Sequence, residues 1–347
     1  MRWLIACVLL LVAAIAPGCS ESNQQDDGED SVVLYTSADD HLAKLVADAF
    51  TKETGIRVQI LGDTEATKTT GLVARILAES DHPKGDVWWS SEPMGTIHLA
   101  ASGALERGGM AGTVPEDWPS ELIGRDGTWV GFAQRARVIV YAADRVREPP
   151  TTMRALVDPE WKGRIGMARP QFGTTRGHMA VLRERWGSGS FQVWLDGLKK
   201  NKLRLYDGNM SVVRAVSLGE IDVGLTDTDD VFAGKENGWG VELVYESIDD
   251  DPAMPSFGAT TIPNTVGIIA GAPNPEGARK LAAFLVSPAC ERLIAQSASR
   301  NTPVHSSLRD EFSDLAMDPG GVLIDYARAY PVVGDAMDAC ERTLEGP

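Results

Sequence analysis

Cysteine and histidine are scarce in this chain, with 4 and 5 copies among 347 residues. The histidines are scattered without the spacing of metal ligands, and the sequence contains no CxxC pair, HExxH, P-loop, GxGxxG or serine nucleophile elbow. These absences leave zinc, nucleotide and hydrolase chemistry without a sequence signature. We therefore predict a protein that is not an enzyme and needs no cofactor.

Basic residues are also few, 33 against 49 acidic residues, which gives a formal net charge of −16. Such a charge argues against nucleic acids and anionic lipid headgroups as partners. It is compatible with a cationic ligand. The hydrophobic fraction of 43% is normal for a globular protein and excludes disorder for most of the chain.

Long apolar runs are absent except near the start, where residues 3–15 are almost all apolar. This run is too short to span a bilayer and follows Arg2, so it predicts a signal peptide over residues 1–18. Gly18 before Cys19 resembles a bacterial lipobox and predicts that Cys19 becomes a lipid-modified N-terminus; ordinary secretion with cleavage nearby is the alternative. Residues 20–30 contain no apolar side chain, which predicts a flexible tether over 19–30.

Two cysteines, Cys290 and Cys340, lie beyond the signal region. In an oxidising compartment they would form one disulfide or remain as two buried thiols. The spacing alone leaves both options open.

The body that follows the tether, about 320 residues, is long enough for two lobes. Strand-like and helical segments alternate along it, which predicts parallel βαβ units and an α/β fold. The extended segments 129–142 and 259–269 are interpreted as strands that cross between lobes. We predict two α/β lobes joined by crossover strands, the first formed by 31–133 and 265–347 and the second by 134–264. The C-terminal helices would pack on either lobe.

The most informative segment is a predicted strand, 221–225, that leads into three carboxylates, Asp227, Asp229 and Asp230. Neighbouring carboxylates repel, and ionising all of them is costly unless a cation or a donor neutralises them. Open α/β sheets bind ligands at the carboxyl ends of their strands. This run therefore predicts a site for a positively charged group, with a solvated acidic loop as the alternative.

Polar residues also follow other predicted strands or precede predicted helices. Backbone N–H groups at a helix start favour an anion, although threonines there are common as N-caps. Arg135 and Arg137 on the first crossover are further candidates for an anionic group. Tryptophan near a strand end serves as a cation–π partner or packs in the core. The residues added to the candidate site on these grounds are Asp39, Trp89, Glu92, Gly173, Thr174, Thr175 and Asn209.

From about residue 31 to 310 the chain resembles the substrate-binding lipoproteins of bacterial ABC importers, and within them the ferric-iron-binding branch. The resemblance implies a type II periplasmic-binding-protein fold with the ligand between the lobes. It also implies a monomer, lipid-anchored in the periplasm or at the cell surface, that delivers its ligand to an ABC permease and its ATPase. The segments that carry the resemblance are 33–37, 50–56, 85–89, 102–105, 135–141, 172–175, 224–230 and 262–266.

In ferric-binding relatives two adjacent tyrosines stand where this chain has Asp229 and Asp230. A histidine often lies near the position of Asp39, and an acidic residue near that of Glu92. The tyrosine pair is absent here, so these four carboxylates would form an all-oxygen site for Fe³⁺ or a related hard cation. The resemblance also implies a synergistic anion at residues 173–175.

Two other functions remain open. Carboxylates at one end of the site and helix N-termini at the other also suit an aminophosphonate-like zwitterion or another small organic cation, with Trp88 or Trp89 against an ammonium group. A lipoprotein hydrolase or a sensor lobe is the alternative from a different class of protein. The missing nucleophile–base motif weighs against the hydrolase.

Overall fold

The computed structural model describes residues 31–63, 69–247, 258–315 and 323–346. The predicted signal peptide, tether and Cys19 lie outside these ranges. The strands are β1 (Ser31–Thr36), β2 (Arg57–Gly62), β3 (Val87–Ser90), β4 (Val130–Ala142), β5 (Ile165–Ala168), β6 (Arg204–Tyr206), β7 (Val223–Asp227), β8 (Val241–Tyr245) and β9 (Thr261–Ile268). The helices are α1 (Asp40–Thr54), α2 (Thr70–Ala78), α3 (Pro93–Ala101), α4 (Gly173–Lys200), α5 (Asn209–Ser217), α6 (Thr228–Glu236), α7 (Pro275–Leu285), α8 (Pro288–Gln296), α9 (Tyr326–Ala329) and α10 (Val333–Cys340).

The first lobe is built on a sheet with the strand order β2-β1-β3-β9-β4. β1 pairs in parallel with β2 and with β3, as the alternation of strands and helices predicts. β9 then runs antiparallel to β3 and to the first half of β4. This mixed sheet brings the carboxyl ends of β1 and β3 to the same edge.

The second lobe shares β4 with the first. Beyond residue 136, β4 leaves β9 and pairs antiparallel with β7 and β8, while β5 lies parallel to β7 and to β6. β4 is therefore a crossover strand, and β9 is the return crossover. The prediction of two α/β lobes joined by crossover strands is confirmed.

Each lobe has a buried apolar core on its sheet. In the first lobe α1 places Leu42, Val46 and Phe50 against the sheet, at the spacing of one helix face. In the second lobe α5 places Val212, Val213 and Val216 against the second half of β4. These cores position the ends of β1 and β7 and the helices that follow them.

α4 is interrupted at Gly187, where the backbone takes φ 73° and ψ 167°. Glycine adopts this conformation without the steric cost that a Cβ would add. α4 therefore consists of two helical parts, one on each side of Gly187.

The C-terminal helices contact α4 of the second lobe. Arg328 bonds Glu184 at 2.9 Å, and Gln192 bonds Thr343 at 2.9 Å. A hydrogen bond between His98 Nδ1 and Tyr330 Oη, at 2.6 Å, joins α3 of the first lobe to the same C-terminal segment. The C-terminal segment thus bridges the lobes on the side of α3 and α4.

Cys290 in α8 and Cys340 in α10 are both buried and both free thiols. The sequence left open either a disulfide or two buried thiols, and the structure has the two buried thiols. Among the helices of the described ranges, none combines the length and the apolar character needed to cross a membrane.

Candidate functional site

A cavity of about 370 Å³ opens between the lobes at the carboxyl ends of their strands. Ala38 and Asp39, which follow β1, contribute the wall from the first lobe. The start of α4, the start of α5 and the start of α6 contribute the wall from the second lobe. Eight of the ten predicted site residues line this cavity: Asp39, Gly173, Thr174, Thr175, Asn209, Asp227, Asp229 and Asp230.

The acidic run spans the end of a strand and the beginning of a helix, rather than the solvated loop that the sequence left as the alternative. β7 ends at Asp227, and α6 begins at Thr228 with Asp229 and Asp230 in its first turn. Carboxylates in a first turn are stabilised by the helix dipole. The turn therefore keeps two neighbouring carboxylates beside the cavity.

Asp227 is neutralised from within the protein. Its Oδ1 accepts a hydrogen bond from Arg137 Nη1 at 2.7 Å, and its Oδ2 accepts from Thr174 Oγ1 at 2.7 Å, Asn209 Nδ2 at 3.0 Å and Arg135 Nε at 3.3 Å. Burial alone would raise the pKa of Asp227, but the two guanidinium groups and the Thr174 hydroxyl outweigh burial and hold this pKa below its ordinary value. Asp227 thus orders the second-lobe wall.

Arg135 contacts two carboxylates of the cavity wall, and the charges of two more act on it. Its Nε is 3.3 Å from Asp227 Oδ2 and 3.4 Å from Asp229 Oδ2, and only 6% of its side chain is exposed. Burial alone would lower the pKa of Arg135. The charges of Asp229, Asp227, Asp230 and Asp39 overcome that effect and raise the pKa above its ordinary value. The guanidinium therefore stays charged.

Three carboxylates, from Asp227, Asp229 and Asp230, each place one oxygen within 4.8 Å of the others. Asp230 Oδ2 accepts a hydrogen bond from Thr226 Oγ1 at 3.2 Å, and Asp229 Oδ1 accepts from the Asp230 N–H at 3.1 Å. Both side chains are partly exposed to the cavity. Carboxylate oxygens at this spacing suit a hard cation.

The helix starts at the cavity carry no side-chain caps. The N-cap positions are Phe172 for α4 and Gly208 for α5, and neither side chain caps its helix. Gly173 follows with φ 56°, in the left-handed region that glycine favours. Thr174 hydrogen-bonds Asp227 rather than a backbone N–H. The capping interpretation of Thr174 is therefore wrong. Backbone N–H groups at a helix start without a side-chain cap favour an anion.

The structure does not bring Trp89 or Glu92 to the cavity, which corrects two expectations. Trp89 is fully buried and donates from Nε1 to Asn264 Oδ1 at 3.1 Å. Alternate strand residues face opposite sides of the sheet, and Trp89 faces the first-lobe core.

Glu92 is the N-cap of α3, where its carboxylate accepts from the N–H groups of Met94 at 2.6 Å and Gly95 at 2.9 Å. Burial raises the pKa of Glu92, although these bonds and the charge of Arg176 act in the opposite direction. Pro93 directly after Glu92 is the sequence signal that could have shown this cap.

Several cavity residues were missed by the sequence analysis. Arg169 and Met210 line the second-lobe wall, and Asn264, Ser299 and Asn301 line the cavity from the return crossover and the segment after α8. Asn301 follows α8 in a segment without a strand or helix pattern, so no periodicity marked it. Of these five residues, only Asn264 lies in a segment that carries the family resemblance.

The fold and the cavity define a two-lobed solute-binding protein of the periplasmic-binding-protein type. A family model for bacterial extracellular solute-binding proteins matches residues 32–297, and the chain belongs to that family. It is 30% identical over 293 residues to iron uptake protein A1 of Synechocystis sp., covering 78% of this chain and 74% of that protein.

A second relative is the major ferric iron-binding protein of Neisseria meningitidis serogroup B, at 28% identity over 277 residues and with 76% of this chain and 78% of that protein covered. Among solved structures, apo ferric ion-binding protein A of Pasteurella haemolytica superposes with a TM-score of 0.79 at 20% identity. That match covers 90% of this chain and 98% of the other. At this identity the likeness concerns the fold.

Proposed function

We propose that this protein captures ferric iron, or a related hard cation, between its lobes and delivers it to an ABC permease. The observation that carries the proposal is the trio of carboxylate oxygens within 4.8 Å of one another at the cavity wall. The names of the relatives, an iron uptake protein and a ferric iron-binding protein, support the same cargo.

The proposed ligands are Asp229 and Asp230 from the second lobe and Asp39 from the first. Asp227 contributes charge, since its own oxygens already accept hydrogen bonds from Arg137 and Thr174. Ligands from both lobes would make closure favourable when the cation is bound, and closure is the state that a permease distinguishes. Hard carboxylate oxygens would here take the place of the tyrosine phenolates that the family resemblance implies.

The uncapped starts of α4 and α5 suit a small oxyanion that accompanies the cation. Their first-turn N–H groups and helix dipoles favour negative charge, and Arg169 adds a positive charge to the same cavity. Fe³⁺ would then enter with part of its charge already balanced.

The setting of the protein in the cell completes the proposal. Cys19 would carry the lipid anchor, residues 19–30 would hold the body away from the membrane, and the protein would act as a monomer beside its permease and ATPase. Transport of this kind needs no catalytic residue.

A thermal-shift panel on the purified protein tests the cargo, because a ligand that binds only the native state raises the melting temperature. The panel contains Fe³⁺ with carbonate, Fe³⁺ with citrate, Ca²⁺, Mn²⁺ and 2-aminoethylphosphonate. We expect Fe³⁺ to give the largest shift. A shift with 2-aminoethylphosphonate alone would replace iron by an organic zwitterion as the cargo.

A further inference from the structure

We propose that Arg135 is an internal counter-ion of the cation site, which pairs with Asp229 in the ligand-free protein and sets the affinity for the cargo. The inference rests on the proposed function and deepens it. It assigns Arg135 as a positioning residue that competes with the cation, rather than as a ligand.

The competition follows from a shared carboxylate. Arg135 Nε lies 3.4 Å from Asp229 Oδ2, and Asp229 also provides one of the three clustered carboxylates. A cation that takes Asp229 as a ligand draws on the same negative charge and is repelled by the guanidinium beside it. Arg135 therefore stabilises the carboxylates before the cargo arrives and opposes the cargo when it binds.

Asp227 makes the exchange feasible. Arg135 also contacts Asp227 Oδ2 at 3.3 Å, and that carboxylate retains Arg137 and Thr174 as donors at 2.7 Å each. The guanidinium thus keeps a second partner while Asp229 turns toward the cation. Neither Arg135 nor Asp227 becomes an unpaired buried charge, which would be costly.

The position of Arg135 in the fold holds its charge in place. Arg135 lies on β4 opposite Ile262 of β9, where the two crossover strands pair. It contacts Asp229 of the second lobe at 3.4 Å, and the charge of Asp39 from the first lobe also acts on it. The guanidinium is therefore held at the pairing of the crossover strands, within electrostatic reach of proposed ligands from both lobes.

A counter-ion at this position should affect the binding of trivalent and divalent ions to different extents. The repulsion between a fixed guanidinium and a bound ion is proportional to the charge of the ion, so a trivalent ion experiences about 1.5 times the repulsion of a divalent ion of the same size. Removing the guanidinium charge should tighten binding of both ions and tighten the trivalent ion more. A purely structural arginine predicts no such difference.

The test measures binding of Tb³⁺ and Ca²⁺, two oxygen-seeking ions of similar size, to the wild-type protein and to Arg135→Gln, Arg135→Lys and Arg145→Gln. Arg145 is the control, because it also pairs with a carboxylate, Asp222 at 2.8 Å, but does not line the cavity. We expect Arg135→Gln to bind Tb³⁺ at least tenfold more tightly and Ca²⁺ by a smaller factor. Arg135→Lys and Arg145→Gln should stay within about threefold of the wild type.

Unchanged or weaker Tb³⁺ binding by a folded Arg135→Gln would overturn the proposal, as would an equal gain for both ions. If that variant does not fold, the Nε–H signal of Arg135 in wild-type protein, followed by ¹⁵N NMR during a La³⁺ titration, replaces it. A shift of that signal at the stoichiometric point supports the exchange, and an unchanged signal overturns it.

The experiments distinguish a failure of the counter-ion proposal from a failure of the proposal that iron is the cargo. A wild-type protein that binds Tb³⁺ but gives no shift with Fe³⁺ would refute iron as cargo and leave the Arg135 comparison intact. Iron binding that is insensitive to Arg135→Gln would refute the counter-ion alone. Absence of cation binding in every variant would overturn both.

Discussion

Arg137 and Asp227 face each other across the antiparallel pair β4–β7 and form a 2.7 Å ion pair in the protein interior. Arg137 is fully buried, and Asp227 is exposed by only 2%. The pair lies beneath the cavity and orients Thr174 and Asn209, which bond the same carboxylate. The wall of the proposed binding site is therefore organised by a structural ion pair.

Asp227→Asn should lower the free energy of unfolding by about 3–5 kcal/mol, because it leaves the buried charge of Arg137 uncompensated. Chemical denaturation followed by circular dichroism measures the change. Glu311→Gln, which removes the exposed partner of Arg292, is the control and should have a much smaller effect. A negligible change in Asp227→Asn would show that the interior pair contributes nothing to stability.

The same carboxylate predicts how stability depends on pH. The pKa of Asp227 is lower in the folded protein than in the unfolded chain, so its contribution is complete above the unfolded value of about 3.9 and is lost as pH falls through the folded value. We expect the wild type to lose stability more steeply than Asp227→Asn below about pH 4. Parallel pH profiles of the two proteins would contradict this linkage.

The thiols of Cys290 and Cys340 should resist alkylation in the native protein. Both are buried, and burial raises the pKa of Cys340 to about 12 and that of Cys290 well above its ordinary value, so neither forms the reactive thiolate at neutral pH. Iodoacetamide labelling with peptide mapping should modify both residues only after denaturation. A disulfide-linked peptide pair would contradict the free thiols.

Cys19→Ser should release the protein from membranes, since it removes the residue expected to carry the lipid. Fractionation of cells that express each form, with detection of the protein in the membrane and soluble fractions, measures this. A variant that remains in the membrane fraction would refute the lipobox prediction.

The architecture was largely accessible from the sequence. The alternation of strand-like and helical segments predicted the α/β fold, and the length of the extended segment 129–142 identified β4 as a crossover. These features depend on local residue patterns and on segment length, which a sequence displays directly.

The site was accessible only in part, because its electrostatics depends on partners that are distant in the chain. In the sequence, Asp227 cannot be distinguished from Asp229 and Asp230 as a carboxylate of the site. In the structure, however, its charge is neutralised by Arg137, which lies 90 positions away. Glu291 illustrates the same point. Its buried carboxylate accepts from the N–H groups of Ala133, Val304 and His305 and is structural, which no local pattern of α8 indicates.

The proposal that the carboxylates of α6 bind the cargo is best tested by measuring Fe³⁺ binding to Asp229→Asn/Asp230→Asn in competition with a chelator. We expect one Fe³⁺ per wild-type chain and at least a hundredfold weaker binding by the double variant, a loss of about 2.7 kcal/mol. The melting temperature of the double variant should be unchanged or raised, since two like charges are removed. Asp207 is an exposed acid that lines the cavity beside Arg169, so Asp207→Asn is the control and should bind Fe³⁺ as the wild type does. Undiminished Fe³⁺ affinity in the double variant would refute this role of the α6 carboxylates.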